Sequence, residues 1–352
     1  MDDLITEFIR EYLEEKIAAN KYSYFLSRKK KTGYRLVDKP QVDFKECDIT
    51  EYLRFSDKFN IAVLDFQNNF KEVFPEEYLA HFNFNIKNTD IIDYKLKIIN
   101  KIKSIFTSQA LGCFDAYNNT IEILKKPENE FEFRKIINHE LLHLSSAANM
   151  AFCGLSQEVL TKKGSVIIGN GINEGYTEYL NKTYFSDNVN YSYHDQVQFA
   201  SMIENIVGKD FMIDCYFNRG LSPLIKKLGE KIGDNSKAID LILSLDCVLG
   251  KANFLFNKSK YTDVRFQLAN FYIKELEDRK NIGIIDQDKY NKMRYLNVDR
   301  FIRGDDFYSE NTVIEDDEKY RILIDGENSK RINKKSDNIS FVLDEENRVI
   351  KK

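Results

Sequence analysis

His139, Glu140 and His143 stand in the order His-Glu-Leu-Leu-His, and these residue types together can hold a metal and move a proton. Positions four apart share one face of an α-helix, so His139 and His143 can offer two imidazole nitrogens to one ion at about 2.0–2.1 Å. Glu140 sits about 100° further round the same helix. From there a carboxylate reaches water activated at the metal without taking a ligand position, and serves as general base. The chain has only four histidines in 352 residues, so chance placement of this pattern is on the order of a few in a thousand. The competing reading is two histidines packed against a core or capping a polar network.

A catalytic zinc takes three protein ligands and keeps a fourth position open, so a third donor must come from elsewhere. Asn149 stands where the metzincin pattern His-Glu-x-x-His-x-x-Gly-x-x-His requires its last histidine, and Ser146 replaces the glycine. That branch is excluded. Downstream, Asn173-Glu174-Gly175-Tyr176-Thr177-Glu178 carries two carboxylates four residues apart, which places Glu174 and Glu178 on one helix face.

Together these residues resemble the gluzincin metallopeptidases, in which a helix-borne His-Glu-x-x-His precedes an Asn-Glu-x-x-x-Asp/Glu element on a second helix. The matching positions are His139, Glu140, His143, Asn173, Glu174 and Glu178. The resemblance implies one catalytic zinc held by His139, His143 and Glu174, with Glu140 as the catalytic base. Glu178 would accept a hydrogen bond from a ligand histidine and fix its tautomer. It further implies a mixed lobe ahead of a helical one, with the site in the cleft between them. Two features depart from the thermolysin-like subgroup: the stretch from Leu144 to Asn173 is longer, and position 178 is Glu where that subgroup has Asp. The match spans only Leu111 to Leu180, and Glu178 stands as the alternative third ligand.

The expected reaction is hydrolysis of a peptide or protein substrate by metal-activated water. A donor for the developing oxyanion is also needed, and His194, Tyr191 and Tyr193, just past the second helix, are candidates. Two other readings share these residues. One is a zincin-fold module that binds a protein partner with vestigial activity, against which the intact motif argues. The other is a zinc amidohydrolase acting on a non-peptide substrate, which differs in substrate alone. Nucleotide binding has no support: Gly164 and Gly169 have P-loop spacing, but Asn170 occupies the lysine position.

The elements that must position these side chains read as α+β: a zincin-like mixed lobe carrying the active-site helix, then a mainly helical lobe and a small β-rich C-terminal tail. The expected divisions are an N-terminal α/β region at 1–109, a zinc-binding core at 110–190, a helical lobe at 191–312 and the tail at 313–352. Helical spacing of apolar residues marks Asp3 to Ala18, Ile49 to Phe59 and Asp90 to Phe106. Tyr22 to Leu36 reads as two strands joined by a basic turn, and the runs flanking Asn118-Asn119 as a hairpin. Asn129 is placed to cap the motif helix, which runs from Phe131 to about Ala148. Helices separated by Asn218-Arg219-Gly220 and Gly233-Asp234-Asn235 follow from Tyr193, and alternating runs at Tyr320–Ile324 and Ile339–Leu343 close the chain.

With 43% hydrophobic residues, 352 positions exceed what one core usually serves. Charged residues, at 31%, nearly cancel to a net charge of −4, which gives no field to recruit nucleic acid or an anionic membrane. Five dispersed cysteines, Cys47, Cys113, Cys153, Cys215 and Cys247, form no Cys-x-x-Cys pair and read as buried free thiols. The acidic, amphipathic start MDDLITEFIREYLEEK lacks the features of a secretory signal, so the cytoplasm is expected.

Overall fold

The computed structural model describes residues 2–18, 48–93, 111–149, 152–162, 164–186, 193–249, 258–305, 307–308, 310–325, 328–337, 341–343 and 349–351. The strands expected between Tyr22 and Leu36 lie outside these residues. The architecture is α+β, and no described helix is long and apolar enough to cross a membrane. Two compact units divide the chain: Met1–Val197 with Lys209–Lys227, and Gln198–Gly208 with Leu228–Lys352.

The first unit opens with helix α1 (Asp2–Ala18), whose Ile5, Ile9 and Leu13 stripe is buried. The helical signal at Ile49–Phe59 resolves into two pieces, a 3-10 turn at Ile49–Tyr52 capped by Asp48 and helix α2 (Asp57–Val73). Helix α3 (Ala80–Asn85) follows, then strand β1 (Asp90–Ile92). This strand corrects the helix expected from Asp90: Ile91 and Ile92 pair in parallel with Ile121 and Glu122, and tertiary pairing overrides helical spacing in so short a β-branched run. The remainder of that expected helix, from 94 onward, lies outside the described residues.

Strands β2 (Gly112–Asp115) and β3 (Thr120–Ile123) form the hairpin around Asn118-Asn119, in a sheet ordered β1-β3-β2. Asp115 closes its turn by accepting from the N–H groups of Tyr117 at 2.9 Å and Asn118 at 3.3 Å. Helix α4 (Glu130–Ser146) carries the histidine motif; at its start the Asn129 side chain accepts from Glu132 N–H at 2.8 Å. At its other end the Asn85 amide donates to Leu144 O at 3.0 Å and Ala147 O at 2.7 Å, which satisfies carbonyls the last turn leaves open. Asn119, in the hairpin turn, donates to Asn85 O at 2.8 Å, so the hairpin and the end of the motif helix are held through one asparagine.

The long stretch after His143 is an antiparallel meander of β4 (Ala147–Asn149), β5 (Phe152–Cys153), β6 (Ser156–Thr161) and β7 (Gly164–Ile168). It leads into helix α5 (Asn170–Tyr184), which carries the two glutamates. A cluster of phenylalanines supports this half: Phe66 of α2 packs on Phe82 of α3 at 5.6 Å and on Phe185, just past α5, at 4.8 Å, while Phe70 meets Phe217 at 5.2 Å.

Beyond α5 the chain runs through α6 (His194–Val207), α7 (Lys209–Asp214), a π-helix at Cys215–Arg219, α8 (Leu221–Ile232), α9 (Asn235–Leu249), α10 (Lys258–Asn281) and α11 (Gln287–Arg294). A second π-helix at Tyr295–Asp299 and the short α12 (Arg300–Ile302) follow. The breaks expected at Gly220 and Gly233 are present, each with φ of 78°. In the second unit, β8 (Val313–Asp316), β9 (Tyr320–Asp325) and β10 (Asn328–Asn333) form an antiparallel sheet. Its Leu323 and Ile332 bury against Leu296 and Tyr308. The short helix α13 (Lys334–Asp337) and the pair β11 (Phe341–Leu343) and β12 (Val349–Lys351) end the described chain.

Candidate metal centre

Helices α4 and α5 pack antiparallel, and residues four apart on each meet residues four apart on the other. His139 Nδ1 lies 3.0 Å from Glu178 Oε2, and His139 Nε2 lies 3.4 Å from Glu174 Oε2. His143 Nε2 lies 3.5 Å from Glu174 Oε1 and 3.2 Å from His139 Nε2. Asparagines lock this register: Asn181 donates to Lys135 O at 2.9 Å and Asn138 donates to Phe185 O at 3.3 Å.

Three donor groups, His139, His143 and Glu174, therefore bring ligand atoms within 4.8 Å of one another. The two Nε2 atoms are 3.2 Å apart, with His139 Nε2 3.4 Å from Glu174 Oε2 and His143 Nε2 3.5 Å from Glu174 Oε1, separations on the scale that zinc bonds of about 2.0–2.1 Å would set. In the metal-free protein one ring can donate an N–H to the other at 3.2 Å, and a cation in place of that proton would be met by both imidazoles and the carboxylate. The donor set thus fits zinc, with Glu174 the most open side chain at 25% exposure against 9% and 7% for the histidines.

The electrostatics of the three groups reflect the same crowding. Burial disfavours charge on His139, but hydrogen bonds to Glu174 and Glu178 outweigh it and hold its pKa at about 9. His143 is likewise raised well above 6.5, against burial, chiefly by the charge of Glu174. Burial pushes the Glu174 carboxyl up, yet the two histidines pull it far below the ordinary carboxylate range.

Around His143 the neighbours are weaker and more numerous. Asn173 Nδ2 lies 3.4 Å from its Nδ1, Thr177 Oγ1 3.5 Å and Cys153 Sγ 4.0 Å. Asn173 Oδ1 accepts from Leu155 N–H at 2.9 Å, which pins the β5–β6 turn against the site. A Cβ at Gly154 in that turn would lie 2.2 Å from Asn173 Oδ1, so the close approach needs glycine. From the first π-helix, the buried Tyr216 hydroxyl meets Thr177 Oγ1 at 2.7 Å.

Glu140 lies against β2 and within the field of the three donors. The Phe114 backbone N–H donates to its carboxylate, and burial, the largest influence, pushes its pKa upward. Gly112 makes room for it: a Cβ there would lie 2.6 Å from Glu140 Oε1. Among the described strands β2 is at the edge of its sheet.

Of the three oxyanion candidates, Tyr193 stands at the site. Its ring stacks on His139 at 5.9 Å and its hydroxyl bonds to Glu174, whose charge together with burial raises the phenol pKa. His194, which opens α6, is exposed, and Tyr191 lies outside the described residues. His81 is buried in α3. Among the described cysteines Cys215 is buried and Cys153 partly so, but Cys113 is exposed on β2 and corrects the expectation of burial there. Sequence reasoning passed over Lys135, Gly112, Thr177 and Tyr216. Lys135 is the one with a legible signal, since it precedes His139 by one helical turn. No family model matches the chain, and neither a curated protein nor a solved structure matches it.

Proposed function

We propose that this chain is a zinc-dependent peptidase of the gluzincin type, with zincin-like lobes and with His139, His143 and Glu174 as the ligands of one catalytic zinc. The observation that supports this reading is the convergence of two imidazole nitrogens and the two oxygens of one carboxylate at 3.2 to 3.5 Å. A bound zinc supplies a Lewis acid that polarises the scissile carbonyl and lowers the pKa of water. Glu178 holds His139 through Nδ1 at 3.0 Å, which leaves Nε2 to face the other donors.

Glu140 takes a proton from water as the oxygen attacks the carbonyl carbon, and returns it to the nitrogen as the C–N bond breaks. Its burial favours this double duty, because a raised pKa makes the carboxylate a stronger base toward water while leaving it able to hand the proton on. A purely structural zinc needs no such extra carboxylate. Tyr193 donates its hydroxyl to the oxyanion that develops. A peptide substrate is favoured by the course of β2 beside Glu140, since an edge strand pairs with an extended backbone.

Digestion of a peptide library with zinc-loaded chain, with and without chelator, tests the reading. Chelator-sensitive cleavage is expected, and Glu140→Gln should keep the metal while losing about 10²–10⁴ in rate. Full activity in that variant removes the mechanism, and no cleavage of any peptide favours the binding module.

A further inference from the structure

The ladder of side chains between α4 and α5 extends one rung beyond the metal donors. Lys135 Nζ lies 3.1 Å from Glu178 Oε1, while the other oxygen of that carboxylate faces His139 Nδ1 at 3.0 Å. Both side chains are withdrawn from water, at 12% and 2% exposure. Exposed ion pairs contribute little and form without burial, whereas a lysine brought this deep gives up hydration that only a well-placed partner restores. The placement is also reinforced from the backbone, because Asn181, less than one turn past Glu178, donates to Lys135 O at 2.9 Å. The result is an alternating series, Lys135, Glu178, His139, Glu174, His143, drawn in turn from the two helices.

We propose that Lys135 is a positioning residue for the metal centre. Its ammonium anchors one oxygen of Glu178, so that the carboxylate cannot rotate away and its second oxygen stays on His139 Nδ1. That contact turns His139 Nε2 toward Glu174 and His143. Glutamate has one more rotatable bond than aspartate, so a carboxylate at the end of this longer arm needs a second anchor to hold a single orientation. Lys135 is not among the metal donors, and its proposed effect runs through Glu178. This inference rests on the metal reading above.

Zinc affinity, measured on the full chain by competition with a chromophoric chelator at one pH, tests it together with the melting temperature of each metal-free protein. Lys135→Met is expected to weaken zinc binding about tenfold, at the low end of what loss of an outer-shell partner costs. Lys135→Arg should recover most of that loss. Lys135→Met combined with Glu178→Gln should bind zinc no more weakly than Glu178→Gln alone, because the proposed effect of the lysine runs through Glu178. A merely structural lysine would lower the metal-free melting temperature and leave affinity unchanged. Equal affinity in wild type and Lys135→Met, or losses that add in the double variant, overturns the proposal and leaves the metal centre standing. If Lys135→Met does not fold, Lys135→Gln takes its place with the same expectation. A wild-type chain that takes up no zinc overturns the metal reading and this inference with it.

Discussion

At Asp337, in the second unit, one carboxylate collects Arg300 Nη1 at 2.5 Å, Arg303 Nη1 at 2.7 Å, Arg321 Nη1 at 3.4 Å and the Tyr295 hydroxyl at 2.6 Å. At His139, in the first unit, an equally dense group places two imidazole nitrogens 3.2 Å apart, nose to nose. Each contact of the Asp337 cluster joins a donor to an acceptor, and the Asp337 carboxylate is 5% exposed. The His139 cluster has two like nitrogens converging on one carboxylate, an arrangement that would also suit a cation. Density of buried charge is common to both clusters; the facing of like groups sets the proposed metal centre apart.

The sharpest way to break this contrast is to remove a carboxylate from each cluster. On the proposed reading Glu174→Ala takes away a metal ligand, and its loss of zinc affinity should exceed the roughly 10–100-fold cost of losing an outer-shell partner, as read by chelator competition. Asp337→Ala takes one of two carboxylates from the Arg300 guanidinium, which keeps Asp305 at 2.5 Å, and removes the carboxylate that Arg303 meets at 2.7 Å. Breaking a buried pair outright costs about 3–5 kcal/mol, and the remaining Asp305 should hold the loss below that. Urea unfolding of the second unit should show that loss, while zinc affinity stays as it was.

Legibility in the sequence follows the same division. The motif helix could be read because its signals are local: Asn129 caps it at 2.8 Å from Glu132 N–H, and its histidines recur at helical spacing. Asn118-Asn119 likewise announced its hairpin, with Asn119 at a positive φ of 52°. Asp90–Ile92 misled because its partner, β3, lies some thirty residues away. The meander from β4 to β7 went unread, although β6 alternates between buried and half-buried positions, because the two strands before it are only two or three residues long. In the site, the resemblance named Glu174 and Glu178, and the structure brings both to His139. Gly112 and Tyr216 were invisible: each matters through a contact made only in three dimensions, with Glu140 and Thr177 respectively.

A smaller effect distinguishes the clusters by pH. In the metal-free protein the pKa of His139 is raised from 6.5 to about 9, and His143 is raised too. The His139 contribution to stability is whole below pH 6.5 and is lost as pH rises through about 9, and that of His143 changes in the same direction. Glu174 is depressed from 4.5, so its contribution is whole above 4.5 and is lost as pH falls below that. The metal-free melting temperature should accordingly fall between pH 6.5 and 9. Over the same range zinc affinity should rise by about tenfold per pH unit for each proton displaced, because metal and proton compete for the imidazoles.

The zinc content of the purified chain, after dialysis against metal-free buffer, bears most directly on whether His139, His143 and Glu174 form a metal centre. One zinc per chain is expected for the wild type and for Glu140→Gln, and none for His143→Ala. A wild-type chain that holds no zinc, or a His143→Ala chain that still holds one, contradicts it.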